Sequence, residues 1–224
     1  MGESPQPYPQ IAPTAIASYN FTDVEDNTGV LIYYPFKGSD TAVFNGMSTQ
    51  ADYTEEKGHS ANLNATVAEV FDTKWETGAF NVTRSVRGTA TFRMPWTLNG
   101  GAGGGRILSG YWIITVYKWD GTTETQIATI TTRNYTTGPD LPIPSSSVSQ
   151  IELTLPKVNI AVGNTIRVRT QLYAGYTTQG NPTTDSLAIG YDPKDTLFEF
   201  VGTVKTATLN DPQMAFFIPF DLDL

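Results

Sequence analysis

Between Arg87 and Tyr173 the chain alternates apolar and polar residues in three long runs, with turn-forming residues between them. A period of two sends successive side chains to opposite faces of an extended strand, so such runs specify sheets with one buried face. In the run from Arg87 to Trp96, the residues Ala90, Phe92, Met94 and Trp96 share one face, while Arg87, Thr89, Thr91 and Arg93 share the other. The run from Thr165 to Tyr173 places Ile166, Val168 and Leu172 inward and Arg167, Arg169, Gln171 and Tyr173 outward. Between these two lies Leu108 to Trp119, followed by Asp120-Gly121, a pair that favours a tight type I′ hairpin leading into Thr123 to Arg133.

The rest of the chain adds shorter strands. Val30 to Phe36 is continuously apolar and β-prone, with Pro35 at its end or on an edge. Asn62 to Phe71 alternates weakly, and Val148 to Leu155 begins another strand that Pro156 should end. Glycine and asparagine at 163 and 164 mark a turn, and Thr196 to Val201 and Met214 to Leu222 supply the last strands. Residues 45–62 read as a loop with a helical turn near Tyr53 to Lys57, residues 99–106 as a long mobile hairpin loop, and residues 174–195 as polar and turn-rich. The first residues are rich in proline and lack periodicity, which favours an extended arm. Together these features predict an all-β chain: a two-sheet antiparallel β-sandwich, jelly-roll-like, of about eight to ten strands, with an extended N-terminal arm over 1–28 and a single domain over 29–224.

Composition narrows function mainly by exclusion. The 224 residues include no cysteine and one histidine, so disulfides and thiolate metal sites are absent and the usual zinc sets are not expected. A formal charge of −8 disfavours direct binding to nucleic acid. That charge is uneven, about −8 over 1–83, +5 over 84–173 and −5 over 174–224, so a basic middle is flanked by acidic ends. No run approaches the ~18 apolar residues of a membrane span, and Met1 to Gln6 lacks an export signal, so no membrane partner is expected.

Candidate chemistry is sparse. His59 sits in a polar loop, Lys57-Gly-His-Ser60, where a solvated imidazole is the simpler reading than a catalytic base. The glycine run at 100–105 lacks the Lys-Ser/Thr ending of a phosphate loop and precedes a strand. The Asp23 to Gly29 segment resembles half a calcium loop, but Tyr34 stands where the closing glutamate belongs. Trp96 and Trp112 fall on core faces, which leaves Trp75 and Trp119 as the surface tryptophans. No cofactor, metal or catalytic residue is therefore expected, and the chain reads as a non-enzyme.

The phrases Arg-Gly-Thr-Ala-Thr-Phe from Arg87, Tyr-Trp-Ile-Ile-Thr-Val-Tyr-Lys-Trp-Asp-Gly from Tyr111, and Val-Gly-Asn-Thr-Ile-Arg-Val-Arg from Val162 resemble the jelly-roll or related β-sandwich virion proteins of tailed double-stranded DNA viruses. That resemblance covers under half the chain. It implies a structural virion protein, a capsid decoration, vertex or minor tail component, located in the virion. The implied partners are other copies of the chain, with a trimer as first expectation, and the major capsid or another virion protein. A carbohydrate-binding or host-attachment module is the alternative. The candidate interface follows from charge: Arg87, Arg93, Arg167 and Arg169 on outward faces, to be met by the acidic ends through Asp23, Glu25, Asp26, Asp221 and Asp223.

Overall fold

The alternation of the central runs is realised as burial. In a computed structural model that describes residues 28–37, 45–51, 58–99, 107–136, 145–177, 186–191, 198–201, 206–209 and 213–221, every regular element is a strand. They are β1 (Thr28–Phe36), β2 (Asn45–Ser48), β3 (Gly58–Asn62), β4 (Ala68–Thr77), β5 (Arg84–Asn99), β6 (Ile107–Trp119) and β7 (Glu124–Thr131). There follow β8 (Tyr135–Thr136), β9 (Ser145–Ile160), β10 (Thr165–Thr177), β11 (Ser186–Gly190), β12 (Phe198–Val201), β13 (Thr206–Leu209) and β14 (Ala215–Asp221). Ala90, Phe92, Met94 and Trp96 of β5 are all buried, as are Ile166, Val168 and Leu172 of β10. The all-β class is as expected, with more strands than the eight to ten expected, because several are short.

The strands are not divided into two closed sheets, and one step between them is parallel. Twelve strands form one connected set, with a path β3-β11-β5-β14-β1-β2-β4-β10-β6-β7, β8 beside β6 and β9 beside β5, while β12 and β13 form a separate pair. Strand β1 is the bridge: Thr28 to Tyr33 pairs with β14, and Tyr34 to Phe36 pairs with β2. The parallel step is β2 to β4. The two halves of the path face each other across one buried cluster. Ring contacts span it, His59 against Phe71 at 5.5 Å and Trp75 against Tyr191 at 5.4 Å.

Prolines mark the places where pairing changes. Pro35 lies just past the switch of β1 from β14 to β2. Pro95 falls between the end of β14 pairing at Arg93 and the start of β11 pairing at Trp96. Pro219 lies in the register shift of β14 against β5. Pro156 does not end its strand. It sits where β9 shifts register against β5, opposite the stretch around Gly88, whose φ is 111°. A residue without an amide hydrogen is tolerated at a bulge, above all on a strand such as β9 that pairs on one side only among the described residues.

Other local expectations are corrected too. Residues 45–62 contain β2 and β3 rather than only a loop, and 52–57, with the expected helical turn, lie outside the described residues. The weak strand read from Asn62 is displaced: Leu63 to Val67 is irregular and β4 starts at Ala68. Within β4 the pairing with β10 shifts register at Val70, and beyond that bulge Phe71 and Trp75 lie on the buried face. Trp75 is completely buried, contrary to its expected surface position, and its indole donates to Thr170 Oγ1 at 2.9 Å. Strand β11 lies in the segment read as turn-rich. The flanking strands β5 and β6 do not pair with each other, and residues 100–106, read as a hairpin loop, lie outside the described residues. The turn after β6 is wider than the expected two-residue form, running from Asp120 to Thr123 with Gly121 at φ 95°. The Asp120 carboxylate accepts from the amides of Thr122 and Thr123 at 2.9 and 2.7 Å, so a side chain substitutes for part of the ladder. These bonds, that from Thr123 foremost, hold its carboxyl below the usual aspartate range.

Candidate functional site

Two places on the fold gather functional side chains, and they differ in how fully their polar groups are satisfied. The first is the outward face of β4, β10, β6 and β7. Cross-strand neighbours stand close enough to interact, so charges on adjacent strands select each other. Arg167 on β10 donates through Nε to Glu76 Oε2 on β4 and through Nη1 to Glu124 Oε1 beside β6, both at 2.8 Å. Its guanidinium carbon stands 3.9 Å from the centre of the Trp119 ring. Glu124 also accepts from Lys74 at 2.7 Å. Burial would raise the Glu124 carboxyl, but the hydrogen bonds from Lys74 and Arg167 outweigh it and hold it below its usual range. Arg169 binds both oxygens of Asp72, which pushes the guanidinium pKa upward. Glu69 accepts from Gln171 and Tyr173, each at 2.9 Å, and the latter bond raises the Tyr173 phenol.

This places the residues expected at an interface. Arg167 and Arg169 pair with acids of their own sheet, Glu76, Glu124 and Asp72. Arg87 stands 3.6 Å from Asp221, which also binds Lys157 at 2.8 Å, so one acidic residue near the C-terminal end does meet the basic middle within the chain. Arg93 donates to the Gln213 carbonyl. Asp23, Glu25, Asp26 and Asp223 lie outside the described residues, as does the N-terminal arm up to residue 27.

The second place is a cleft of about 430 Å³ at the seam where β9 and β8 approach without pairing to each other. Trp96 of β5 and Ile151 of β9 come from one half of the path, and Trp112 of β6, Leu172 of β10 and Tyr135 of β8 from the other. Trp96 and Trp112 are 8% and 5% exposed, so each serves the core while presenting an edge to the cleft. Tyr135 is 54% exposed and packs edgewise on Trp96, with ring centres 6.2 Å apart. The Trp96 indole donates to Ser149 Oγ at 3.1 Å, which fixes its orientation. Opposite, the Trp112 amide donates to Thr132 Oγ1 and its carbonyl accepts from the Thr132 amide, both at 2.9 Å. These bonds carry the chain beyond β7 along β6 and so place Arg133 at the rim. Ser109 and Asn134 tie the next residue down by paired side-chain bonds of 2.8 and 3.1 Å.

Sequence reasoning assigned Trp96 and Trp112 to the core alone and passed over Arg133, Tyr135 and Ser149. Burial was legible from alternation. The seam was not, because it depends on which strands stay unpaired. Among the described residues no group of three or more His, Cys, Asp or Glu side chains is arranged to hold a metal ion. His59 lies on β3 against Phe71, away from the cleft lining.

No protein-family model matches the chain, and comparison with curated proteins yields no match. Solved structures do resemble it. An α-amino acid ester hydrolase matches over 85% of this chain and 36% of its own, with a TM-score of 0.53 at 9% identity. An aminopeptidase from a marine sediment Thaumarchaeota archaeon matches over 88% of this chain and 37% of its own, with a TM-score of 0.49 at 10% identity. The VP2 subviral particle of infectious bursal disease virus matches over 85% and 46%, at 11% identity, but with a TM-score of 0.23 that carries no argument. The chain thus spans about a third of the length of the ester hydrolase. At such identity the likeness is one of fold. It corrects the expectation of a non-enzymatic structural virion protein, since a solved chain whose fold it shares, at a TM-score of 0.53, is an ester hydrolase. The physical reason is that alternation and turns describe paired strands in any β-fold and carry no information on lineage.

Proposed function

We propose that this chain is the β-fold part of a hydrolytic enzyme, and that its cleft receives the apolar portion of the substrate. The observation that carries this reading is the cleft itself: a concave site walled by two tryptophans and a tyrosine, edged by hydroxyls, in the size range of small-molecule sites. The fold likeness to an α-amino acid ester hydrolase supports the reaction class. The lining offers hydroxyls, an amide and a guanidinium but neither a histidine nor a carboxylate to act as a base, so its part is substrate binding rather than bond cleavage.

Esters of aromatic, branched and short acyl groups provide the test, with binding followed by tryptophan fluorescence. Aromatic and branched esters are expected to perturb the fluorescence saturably, with Tyr135→Ala weakening them and leaving the fold intact. If no ester perturbs the tryptophans at millimolar concentration, the reading is wrong.

A further inference from the structure

The charge distribution around the cleft carries its ligand chemistry a step further. Arg133 is the one charged side chain among the described residues that line the cleft. It has no ion-pair or hydrogen-bond partner among the described residues, whereas the arginines of the outer face, Arg167 and Arg169, are each held by carboxylates. Among the described residues this guanidinium is thus left unneutralised beside an apolar pocket, while Arg167 and Arg169 are saturated.

Its position is built, since Thr132 on one side is locked to the Trp112 backbone and Asn134 on the other to Ser109. Ordering of both neighbours fixes the backbone from which the side chain extends, so little backbone entropy is lost when a ligand engages it. A planar guanidinium presents parallel donors that match the two oxygens of a carboxylate. No acidic side chain of the lining competes for them. The Trp96, Trp112 and Leu172 surfaces offer the opposite kind of contact, suited to a ring or a branched alkyl group.

We propose that the cleft binds a carboxylate that bears an aromatic or branched apolar group, the apolar group between the tryptophans and the carboxylate on Arg133. This rests on the cleft being the ligand site, as set out above. The test is calorimetric titration with 3-phenylpropionate, with the isosteric neutral 3-phenylpropionamide, and with propionate, at neutral pH and constant ionic strength. Wild type, Arg133→Ala and Arg133→Lys are compared after thermal melts establish that each is folded. The carboxylate is expected to bind at least about tenfold more tightly than the amide to the wild type. Arg133→Ala should bring the two to parity without weakening the amide, and Arg133→Lys should fall between. Propionate alone should bind weakly to every form.

Equal affinity of carboxylate and amide for the wild type would overturn the carboxylate assignment and leave the cleft as an apolar site. Absence of binding by either phenyl compound would overturn both. A carboxylate preference that survives Arg133→Ala would place the anion site elsewhere and equally overturn the assignment.

Discussion

The outer face of β4, β10, β6 and β7 and the cleft at the seam of β8 and β9 each contain arginine beside aromatic rings, yet they are satisfied to different degrees. On the outer face Arg167 has two carboxylates and the Trp119 ring, and Arg169 binds Asp72 through two nitrogens. In the cleft Arg133 has tyrosine and tryptophan nearby and no carboxylate in the lining. A saturated lattice holds strands in register and has little left to offer a ligand. An unsaturated one has its interaction capacity free, and that distinguishes scaffold from site.

The largest expected effect breaks the scaffold side of this comparison. Arg167 is 12% exposed at its side chain, and removing it leaves Glu76 and part of Glu124 without their partner. Arg167→Ala should cost about 3 kcal/mol of unfolding free energy, read by urea titration, because an uncompensated charge remains in a half-buried setting. A loss below ~1 kcal/mol would show that the lattice is ornamental.

Next in size is a steric probe of the turn that closes on β10. A methyl group on Gly175 would lie 2.5 Å from the Thr66 carbonyl oxygen, a backbone atom that yields only if residues 63–67 move. Gly175→Ala should destabilise by about 1–3 kcal/mol in the same titration. A neutral result would mean that this segment is not firmly packed.

Arg169→Ala should cost less, at most about 1 kcal/mol, since both partners of the Asp72 pair are about one-third exposed and water screens them. That contrast between Arg167 and Arg169 sharpens the comparison within one strand. Arg133→Ala should change stability by no more than ~0.5 kcal/mol while altering ligand preference, the opposite pattern to Arg167.

The smallest effect is a pH dependence at the hairpin. The folded Asp120 carboxyl is held below its usual range by the Thr123 and Thr122 bonds, so its contribution is complete above the usual aspartate pKa and is lost as pH falls through the lower folded value. The melting temperatures of wild type and Asp120→Ala should therefore differ by a constant small amount at neutral pH and converge in acid. A gap that widens in acid would contradict this.

How much of this was legible without coordinates varies along the chain. The apolar faces of β5 and β10 were legible, since Ala90, Phe92, Met94, Trp96, Ile166, Val168 and Leu172 are buried as expected, but Gln171, read as outward, is buried as well, and the Asp120-Gly121 turn was correctly placed though not correctly sized. Trp75 was misplaced because β4 shifts register against β10 at Val70, which sets the face of the residues that follow, and nothing local announces that bulge. Strands β2 and β3 were missed because short strands rich in Gly, Ser and Asn form where neighbours offer hydrogen bonds, whatever their own propensity, and β11 because its apolar Leu187 to Ile189 is only three residues long within a polar segment.

The sequence by itself determined that this protein is all-β and which side chains of its long strands face inward, because a two-residue period is a local property of an extended backbone. Only the tertiary structure decided that β1 joins the halves, that Arg167 meets Glu76 and Glu124, and that Trp96, Trp112 and Arg133 gather at one seam. Those groupings bring together residues far apart in the chain, and pairing of distant strands is governed by how all the edges are satisfied at once rather than by any single segment.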